Sequence, residues 1–204
     1  VSDWADFWIQ EGFATYAEAI YVNDTLGEER YLDYMDDLRA RIANDKPLVA
    51  GRDLTSAEAY IGDIYHKGAW VLHTLRWLVG DEAFFEVVYR FANDPDFAYG
   101  LVSSDDLANL VDEVCGLDLG WFWSRYLLRA DIPTWRVERL PEDSGERVEI
   151  TWGDSTFEMP LEVAVGGDLR RVDMKDGRAS FVVPAGIVIE VDPDGWVLAT
   201  PAAK

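Results

Sequence analysis

Two acidic side chains near the start of the chain, Glu11 and Glu18, have the type and spacing of a metal-binding or catalytic pair. If this segment is helical, Glu11, Thr15 and Glu18 are separated by four and three residues and therefore lie on one face. Their neighbours are aromatic or small, and a carboxylate among such residues is costly to bury unless a positive group meets it. That group would be a metal ion, an arginine or a substrate amine. The alternative is that both carboxylates point into solvent.

The residues around Glu11 form a recognisable pattern. Residues 4–18 read Trp-Ala-Asp-Phe-Trp-Ile-Gln-Glu-Gly-Phe-Ala-Thr-Tyr-Ala-Glu. This run resembles the second zinc motif of the gluzincin metallopeptidases of the aminopeptidase N and leukotriene hydrolase type, in which an upstream His-Glu-x-x-His helix supplies two histidines. The resemblance implies that Glu11 is the third zinc ligand, which leaves the fourth position open for water. Ile9 and Gln10 stand where the family usually has Leu-Asn, a mild departure.

A second segment, residues 60–69, resembles the Tyr-x-Lys-Gly motif of the same family. The match implies that Tyr65 donates a hydrogen bond to the oxyanion of the tetrahedral intermediate. It also places Tyr60 at an aromatic position that lies near the substrate in some members. A phenol aimed at developing negative charge stabilises the transition state by about 3 kcal/mol. His66 replaces a common glutamate without affecting the phenol, and the alternative role for a lone tyrosine is packing.

The resemblance implies a zinc aminopeptidase that removes N-terminal residues from peptides with a free N-terminus. Zinc and a general-base glutamate would activate the water that attacks the first peptide carbonyl. Glu18, two helical turns beyond Glu11 on the same face, is expected to orient a zinc-bound histidine or to face the substrate. This last role comes from geometry and not from a motif.

Part of the family's zinc site has no counterpart in this sequence. The two zinc histidines and the general base would precede Val1, and His66 and His73 do not have metal-motif spacing. We therefore expect a fragment that binds zinc weakly if at all and is inactive by itself, although the intact enzyme holds zinc. Because the missing helix would cover one side of Glu11, Trp4 and Trp8 are candidates for an exposed patch.

The helices and strands that would position these residues can be predicted from the spacing of apolar residues. That spacing has a helical period up to Pro133 and alternates residue by residue beyond it. The predicted helices span about residues 6–23, 28–44, 65–79, 81–93, 103–116 and 119–129. The predicted strands span residues 135–140, 147–152, 157–165, 169–174, 178–183, 186–191 and 196–199. The fold class is α+β. Residues 1–133 would be the helical C-terminal part of a thermolysin-like zinc metallopeptidase catalytic domain, as the resemblance implies, and residues 134–204 a small antiparallel β-sandwich.

Composition excludes several function classes. Lys and Arg total 18 against 39 Asp and Glu, a formal net charge of −21, which argues against binding to nucleic acid or to an anionic membrane. An acidic surface of this kind favours cationic substrates such as free amines, unless it is merely a solvated surface. No apolar run approaches the roughly 18 residues of a membrane span. The single Cys115 cannot form an internal disulfide and is expected to be a buried thiol. The first residues show no signal-peptide pattern, and a cytoplasmic location is our expectation.

Two other classes of function remain open at this point. A non-catalytic binding or assembly module would fit a chain without the metal helix. A glycoside hydrolase would need two acids about 5 to 9 Å apart in a cleft lined by tryptophans. The sequence has nine tryptophans, but no spacing singles out such a pair of acids. A His-Glu-x-x-His motif encoded just upstream of Val1 would decide for the peptidase.

Overall fold

The computed structural model describes residues 1–203, which form two compact units. The first unit, Val1–Asp131, is helical, and the second, from Ile132 onward, contains two β-sheets. The division lies next to Pro133, where the hydrophobic period of the sequence changes. The α+β class predicted from the sequence is therefore confirmed. None of the described helices is both long and apolar enough to span a membrane.

The described part of the first unit contains seven α-helices. They are α1 (Trp8–Leu26), α2 (Glu28–Arg39), α3 (Ser56–Ala59), α4 (Asp63–Val79), α5 (Asp81–Asn93), α6 (Ser104–Cys115) and α7 (Gly120–Leu127). All six predicted helices form, and α3 adds one turn within the predicted connection. A 3₁₀ helix over Trp4–Asp6 precedes α1, so α1 begins later than predicted. Gly27, at a φ of 89°, ends α1 three residues beyond the predicted residue 23.

The end of α2 differs from the prediction. The helix stops at Arg39 and does not continue to Asn44. The Asp63 carboxylate accepts hydrogen bonds from the backbone N–H groups of Ala43 at 2.8 Å and Asn44 at 2.7 Å. Those amides are therefore used by a side chain at the start of α4 and cannot extend the helix.

Helix α6 begins as its sequence predicts. The Ser103 side chain accepts from the Asp106 amide, and the Asp106 carboxylate accepts from the Ser103 amide, which makes a capping box. Gly116 ends the helix in the left-handed conformation. Cys115 lies in the last turn and is partly exposed, so the prediction of a buried thiol is wrong, because the helix end leaves one side of it uncovered.

Helices α1 and α4 form the most extensively packed helix pair of the first unit. They meet at two buried glycines, Gly12 and Gly68, whose missing side chains let the backbones touch. A buried polar chain joins the same pair to α2: the Tyr31 hydroxyl is 2.8 Å from the Tyr16 hydroxyl and 2.5 Å from His73 Nδ1. His73 therefore lies between helices and holds them together.

The prediction that Trp8 is exposed is wrong. Its ring is fully buried, and its indole N–H donates to Ser104 Oγ at 2.9 Å, because the start of α6 covers this side of α1. Trp4, one turn earlier, is 44% exposed. The start of α1 is thus anchored from within the first unit.

The described residues of the second unit form seven strands: β1 (Thr134–Glu142), β2 (Gly145–Trp152), β3 (Leu161–Val165), β4 (Asp168–Val172), β5 (Arg178–Val183), β6 (Ile189–Val191) and β7 (Thr200–Pro201). One sheet has the order β5-β2-β1-β7 and the other β4-β3-β6. All pairs are antiparallel except β1 with β7, which are parallel over two residue pairs. The buried face of β2, with Val148, Ile150 and Trp152, and nearly all of β3 supply much of the core, to which Phe157, Met159 and Val197 add.

Three predicted strands differ in the second unit, and the one predicted at residues 186–191 forms only over Ile189–Val191. The strand predicted at residues 157–165 starts only at Leu161, directly after Pro160, which lacks the N–H that a ladder needs. The strand predicted at residues 196–199 does not form. The Asp192 carboxylate accepts from the Trp196 and Val197 amides at 2.8 and 3.0 Å, so a turn uses the groups that a strand would need.

Candidate active site

Glu11 lies in the first turn of α1 and is partly buried. A carboxylate at this end of a helix is favoured by the partial positive charge of the helix N-terminus. Side-chain hydrogen bonds of Asp6 and Trp8 hold the start of the helix that carries Glu11. Asp6, which is fully buried, accepts from the Ser104 amide at 2.9 Å and from Arg52 at 2.6 Å. Together with the Trp8 bond to Ser104, these contacts fix the direction of α1 against α6.

Tyr65 lies in the first turn of α4 and is partly exposed. Its hydroxyl is 2.5 Å from the hydroxyl of Tyr60, and the two rings pack edge to face with centroids 6.0 Å apart. Tyr60 is 58% exposed and also contacts the Phe7 ring at 5.7 Å. The two tyrosines named from the sequence therefore lie side by side.

Glu11 and Tyr65 belong to different helices, which come into backbone contact at Gly12, next to Glu11, and at Gly68, one turn after Tyr65. The pKa of Tyr65 is raised first by the hydrogen bond with Tyr60, then by burial, and then by the charge and hydrogen bonding of the Glu11 carboxylate. Ionising the phenol would place a second negative charge beside this carboxylate. Tyr65 therefore keeps its proton at neutral pH and remains a hydrogen-bond donor.

Lys67, in the same motif as Tyr65, is fully buried. Its ammonium donates to the carbonyl oxygens of Arg129 at 3.0 Å and Ala130 at 2.6 Å, which ties α4 to the segment after α7. Burial lowers the pKa of Lys67, Asp63 opposes this shift and Arg125 adds to it, which together give a pKa of about 8. Lys67 thus helps to fix the first turns of α4, which carry Tyr65, against the segment that follows α7.

Glu18 is not part of this cluster. It is exposed, and its carboxylate accepts from the Tyr34 hydroxyl at 2.6 Å, which links α1 to α2. Burial of the Tyr34 ring, followed by the bond to Glu18, raises the pKa of Tyr34 to about 12. Two helical turns, about 10 Å along the axis, separate Glu18 from Glu11. A role of Glu18 in orienting a zinc-bound histidine stays a prediction.

The donor set for a metal ion is incomplete within the described residues. In residues 1–203, no three His, Cys, Asp or Glu side chains lie close enough together to hold a metal. His73 is bonded to Tyr31, and the Nδ1 of His66 is buried without a hydrogen-bond partner. Glu11 suits zinc as one carboxylate ligand, since its side chain is partly accessible and no ion pair among the described residues engages it. The remaining ligands are not among the described residues.

Two features of the site are missing from the sequence-based prediction. One is Phe7, whose ring contacts Tyr60. The other is the backbone contact between Gly12 and Gly68, next to Glu11 and one turn from Tyr65. Glycines inside helical patterns signal close approach of another backbone. That signal was present for both residues, but it does not say which two helices meet.

Comparison with known proteins agrees with the pattern of these residues. The family model of the peptidase family M1 domain matches residues 1–126. Aminopeptidase N of Streptomyces lividans is 27% identical over 224 residues, covering 97% of this chain and 25% of that protein. The leucyl aminopeptidase of Saccharolobus solfataricus is 28% identical over 156 residues, covering 72% and 19%. Endoplasmic reticulum aminopeptidase 2 of Homo sapiens is 28% identical over 120 residues, covering 55% and 12%. The chain thus spans a quarter or less of these relatives.

Solved structures give the same result. Aminopeptidase A of Legionella pneumophila, solved with aspartic acid, superposes on 100% of this chain and 25% of its own with a TM-score of 0.81; at 17% identity this shows the shared fold. A variant of the M1 zinc metallopeptidase of Deinococcus radiodurans, bound to a Tyr-Ser-Ala substrate, is 32% identical. It covers 64% of this chain and 29% of its own with a TM-score of 0.54.

Proposed function

This chain belongs to the peptidase family M1, and from that membership we propose that it is part of a zinc-dependent aminopeptidase in which Glu11 binds the metal and Tyr65 stabilises the oxyanion. Its relatives are M1 zinc aminopeptidases. The observation that carries the proposal is the backbone contact of α1 and α4 at Gly12 and Gly68, which lies next to Glu11 and one helical turn from Tyr65. Family membership leaves no support for a glycoside hydrolase.

Glu11 would hold zinc through one carboxylate oxygen. When bound, zinc polarises the scissile carbonyl and lowers the pKa of a bound water. The helix start anchored by Asp6 and Trp8 keeps the Glu11 backbone fixed, so the carboxylate need not reorganise during turnover.

Tyr65 would donate its phenolic proton as a hydrogen bond to the carbonyl oxygen while that oxygen gains negative charge. Its raised pKa means that the donor is present throughout the neutral range. In the structure its hydroxyl partner is Tyr60, which the oxyanion would replace as the acceptor of this hydrogen bond. Tyr60 and Phe7 would form an aromatic wall beside the reacting carbonyl.

Peptides with a free N-terminus are the proposed substrates. The related Deinococcus radiodurans metallopeptidase binds a Tyr-Ser-Ala peptide, which supports this class. A net charge of −21 also favours a cationic α-amine over an anionic group near the protein surface.

The test uses the full protein encoded by the gene that contains this chain. It should hydrolyse aminoacyl-7-amido-4-methylcoumarin substrates, lose activity when a chelator removes zinc, and regain it on adding zinc. The matched control is the same substrate with its amine acetylated, which should not be cleaved. Cleavage of the acetylated substrate at a similar rate, or activity unaffected by chelation, would overturn the proposal.

A non-catalytic role is the second candidate for residues 1–204 by themselves. The observation that favours it is the incomplete donor set in residues 1–203. In this role the chain would act in binding or assembly and not in hydrolysis.

A further inference from the structure

Helices α1 and α4 approach closely enough for backbone contact at Gly12 and Gly68. A methyl group placed on Gly68 would lie 3.0 Å from the Cα of Gly12 and 3.5 Å from the carbonyl oxygen of Trp8. A methyl group placed on Gly12 would lie 3.0 Å from both the Cα and the carbonyl carbon of Gly68. Both distances of 3.0 Å are tighter than ordinary contact, which begins near 3.4 Å. The obstacle is backbone in both directions, so no side chain could rotate away.

This point of contact lies beside the two proposed functional groups. Gly12 directly follows Glu11 in α1. Gly68 lies three residues after Tyr65 in α4, which places the two residues on neighbouring positions of one helix face. The Glu11 carboxylate and the Tyr65 phenol are therefore both carried by residues close to the point of backbone contact. A small change in helix separation there would change the distance between the two groups by a similar amount.

We propose that Gly12 and Gly68 are positioning residues, and that their backbone contact fixes the separation of the Glu11 carboxylate and the Tyr65 phenol. This inference rests on the proposed function, because it assumes that both groups serve one reaction. Because neither glycine has a side chain, the two helices lie as close together as their backbones allow. Any larger residue would move the oxyanion donor away from the metal ligand.

The chain supplies a matched control on the same helix. Gly62 lies three residues before Tyr65 and has helical dihedral angles. A methyl group there would meet only His66 Nδ1, at an ordinary 3.9 Å. Gly62→Ala and Gly68→Ala thus add the same group at equal sequence distance from Tyr65, but only the second pushes on α1.

The kinetic experiment uses the full zinc-loaded enzyme. Gly68→Ala should lower kcat by about tenfold to a hundredfold, since misplacement of a catalytic group by about 1 Å costs on that order. KM and bound zinc should stay within about twofold, because Glu11 keeps its helix. Gly62→Ala should leave all three unchanged. Equal kinetics for the two variants would overturn the proposal.

A double-mutant cycle separates positioning from general packing. If Gly68 acts through the phenol, Gly68→Ala should lower kcat much less in a Tyr65→Phe background than in the wild-type enzyme. Additive losses would show that the contact serves something other than Tyr65 and would overturn the inference. An unchanged kcat in Tyr65→Phe alone would instead overturn the proposed function, so the two failures are distinguishable.

A readout without activity completes the test. Crystal structures of the two variants measure the separation of the Glu11 carboxylate and the Tyr65 hydroxyl directly. Gly68→Ala should lengthen this separation by about 1 Å, whereas Gly62→Ala should leave it unchanged. Equal separations in the two variants would overturn the proposal. Failure of Gly68→Ala and Gly12→Ala to fold, while Gly62→Ala folds, would assign the contact to stability and would also overturn it.

Discussion

At the scale of single residues, the site depends on a phenol that keeps its proton beside a carboxylate. Tyr60 and Glu11 both act on Tyr65, the first through a hydroxyl contact and the second through its charge. A hydrogen-bond donor of this kind contributes in the transition state, where charge develops, and little to substrate binding. That distinction makes the roles of Tyr65 and Glu11 separable by mutation.

Tyr65→Phe keeps the ring and removes the donor. We expect kcat to fall about 10²- to 10³-fold, the usual loss for one oxyanion donor, with KM and zinc content nearly unchanged. Steady-state kinetics and metal analysis of the full enzyme measure this. Tyr21→Phe, on an exposed ring of α1, is the matched control and should behave as wild type. Near-normal kcat in Tyr65→Phe would make the phenol a packing residue.

Glu11→Gln should act through the metal. Replacing the carboxylate with an amide removes the charge that favours zinc, so bound zinc falls first and activity falls in proportion. Excess zinc should restore part of the activity in this variant and none in Tyr65→Phe. Glu18→Gln, two turns along the same helix, should change metal content less. Full zinc occupancy in Glu11→Gln would contradict the assignment of this ligand.

At the scale of helices and strands, the sequence predicted which elements form better than it predicted the contacts between them. Capping residues such as Ser103 and stop signals such as Gly80 act within a few residues of themselves, so α5 and α6 were predicted almost to the residue. The early end of α2 could not be predicted, because Asp63, which takes its amides, lies far along the chain. The strand predicted at residues 196–199 is missing for a local reason, because Asp192 takes the amides of Trp196 and Val197, only four and five residues further along the chain.

The candidate site shows the same division between local and distant information. Motif resemblance identified Glu11, Tyr60 and Tyr65 one at a time. Their meeting depends on how α1 packs against α4, and nothing local to either motif encodes it. The close glycine contact explains the meeting only once the partner helix is known. Glu18 was placed on the correct helix, but Tyr34, its hydroxyl partner, comes from α2.

Lys67, which links α4 to the segment after α7, leads to a prediction for how the free energy of unfolding depends on pH. Its pKa in the folded protein is about 8, below the ordinary 10.5, so between these values the unfolded chain binds more protons than the folded one. The free energy of unfolding should therefore rise as pH increases from about 8 to 10.5 and fall again as pH returns through this range.

Comparing wild type with Lys67→Met isolates this effect from other titrating groups. Denaturant unfolding followed by helical circular dichroism at pH 7 to 10 should show wild type gaining up to about 3 kcal/mol on the variant across the range. Buried methionine fills nearly the same volume without a charge. A difference that does not change with pH would mean that Lys67 keeps an ordinary pKa in the folded protein.

At the scale of the whole molecule, residues 1–204 supply one proposed zinc ligand and one proposed oxyanion donor. Expressed by itself, this chain should bind zinc weakly and hydrolyse no aminoacyl substrate, because one carboxylate does not replace a three-ligand site. Calorimetric titration with zinc and a fluorogenic assay measure both properties, and the full enzyme is the control. Robust zinc-dependent hydrolysis by residues 1–204 would show that the site lies elsewhere.

The parallel pairing of β1 with β7 has a consequence for modularity. Thr134 and Thr200 are neighbours across this pair, so the second unit's first and last strands lie one strand spacing apart, about 4.8 Å. A unit with adjacent entry and exit can be cut at a surface turn and rejoined through a short linker between its old ends. A circular permutant opened at the exposed Gly166–Gly167 turn should therefore keep both sheets. A unit whose first and last strands are adjacent can also be inserted into or removed from a longer polypeptide with little rearrangement of the flanking chain.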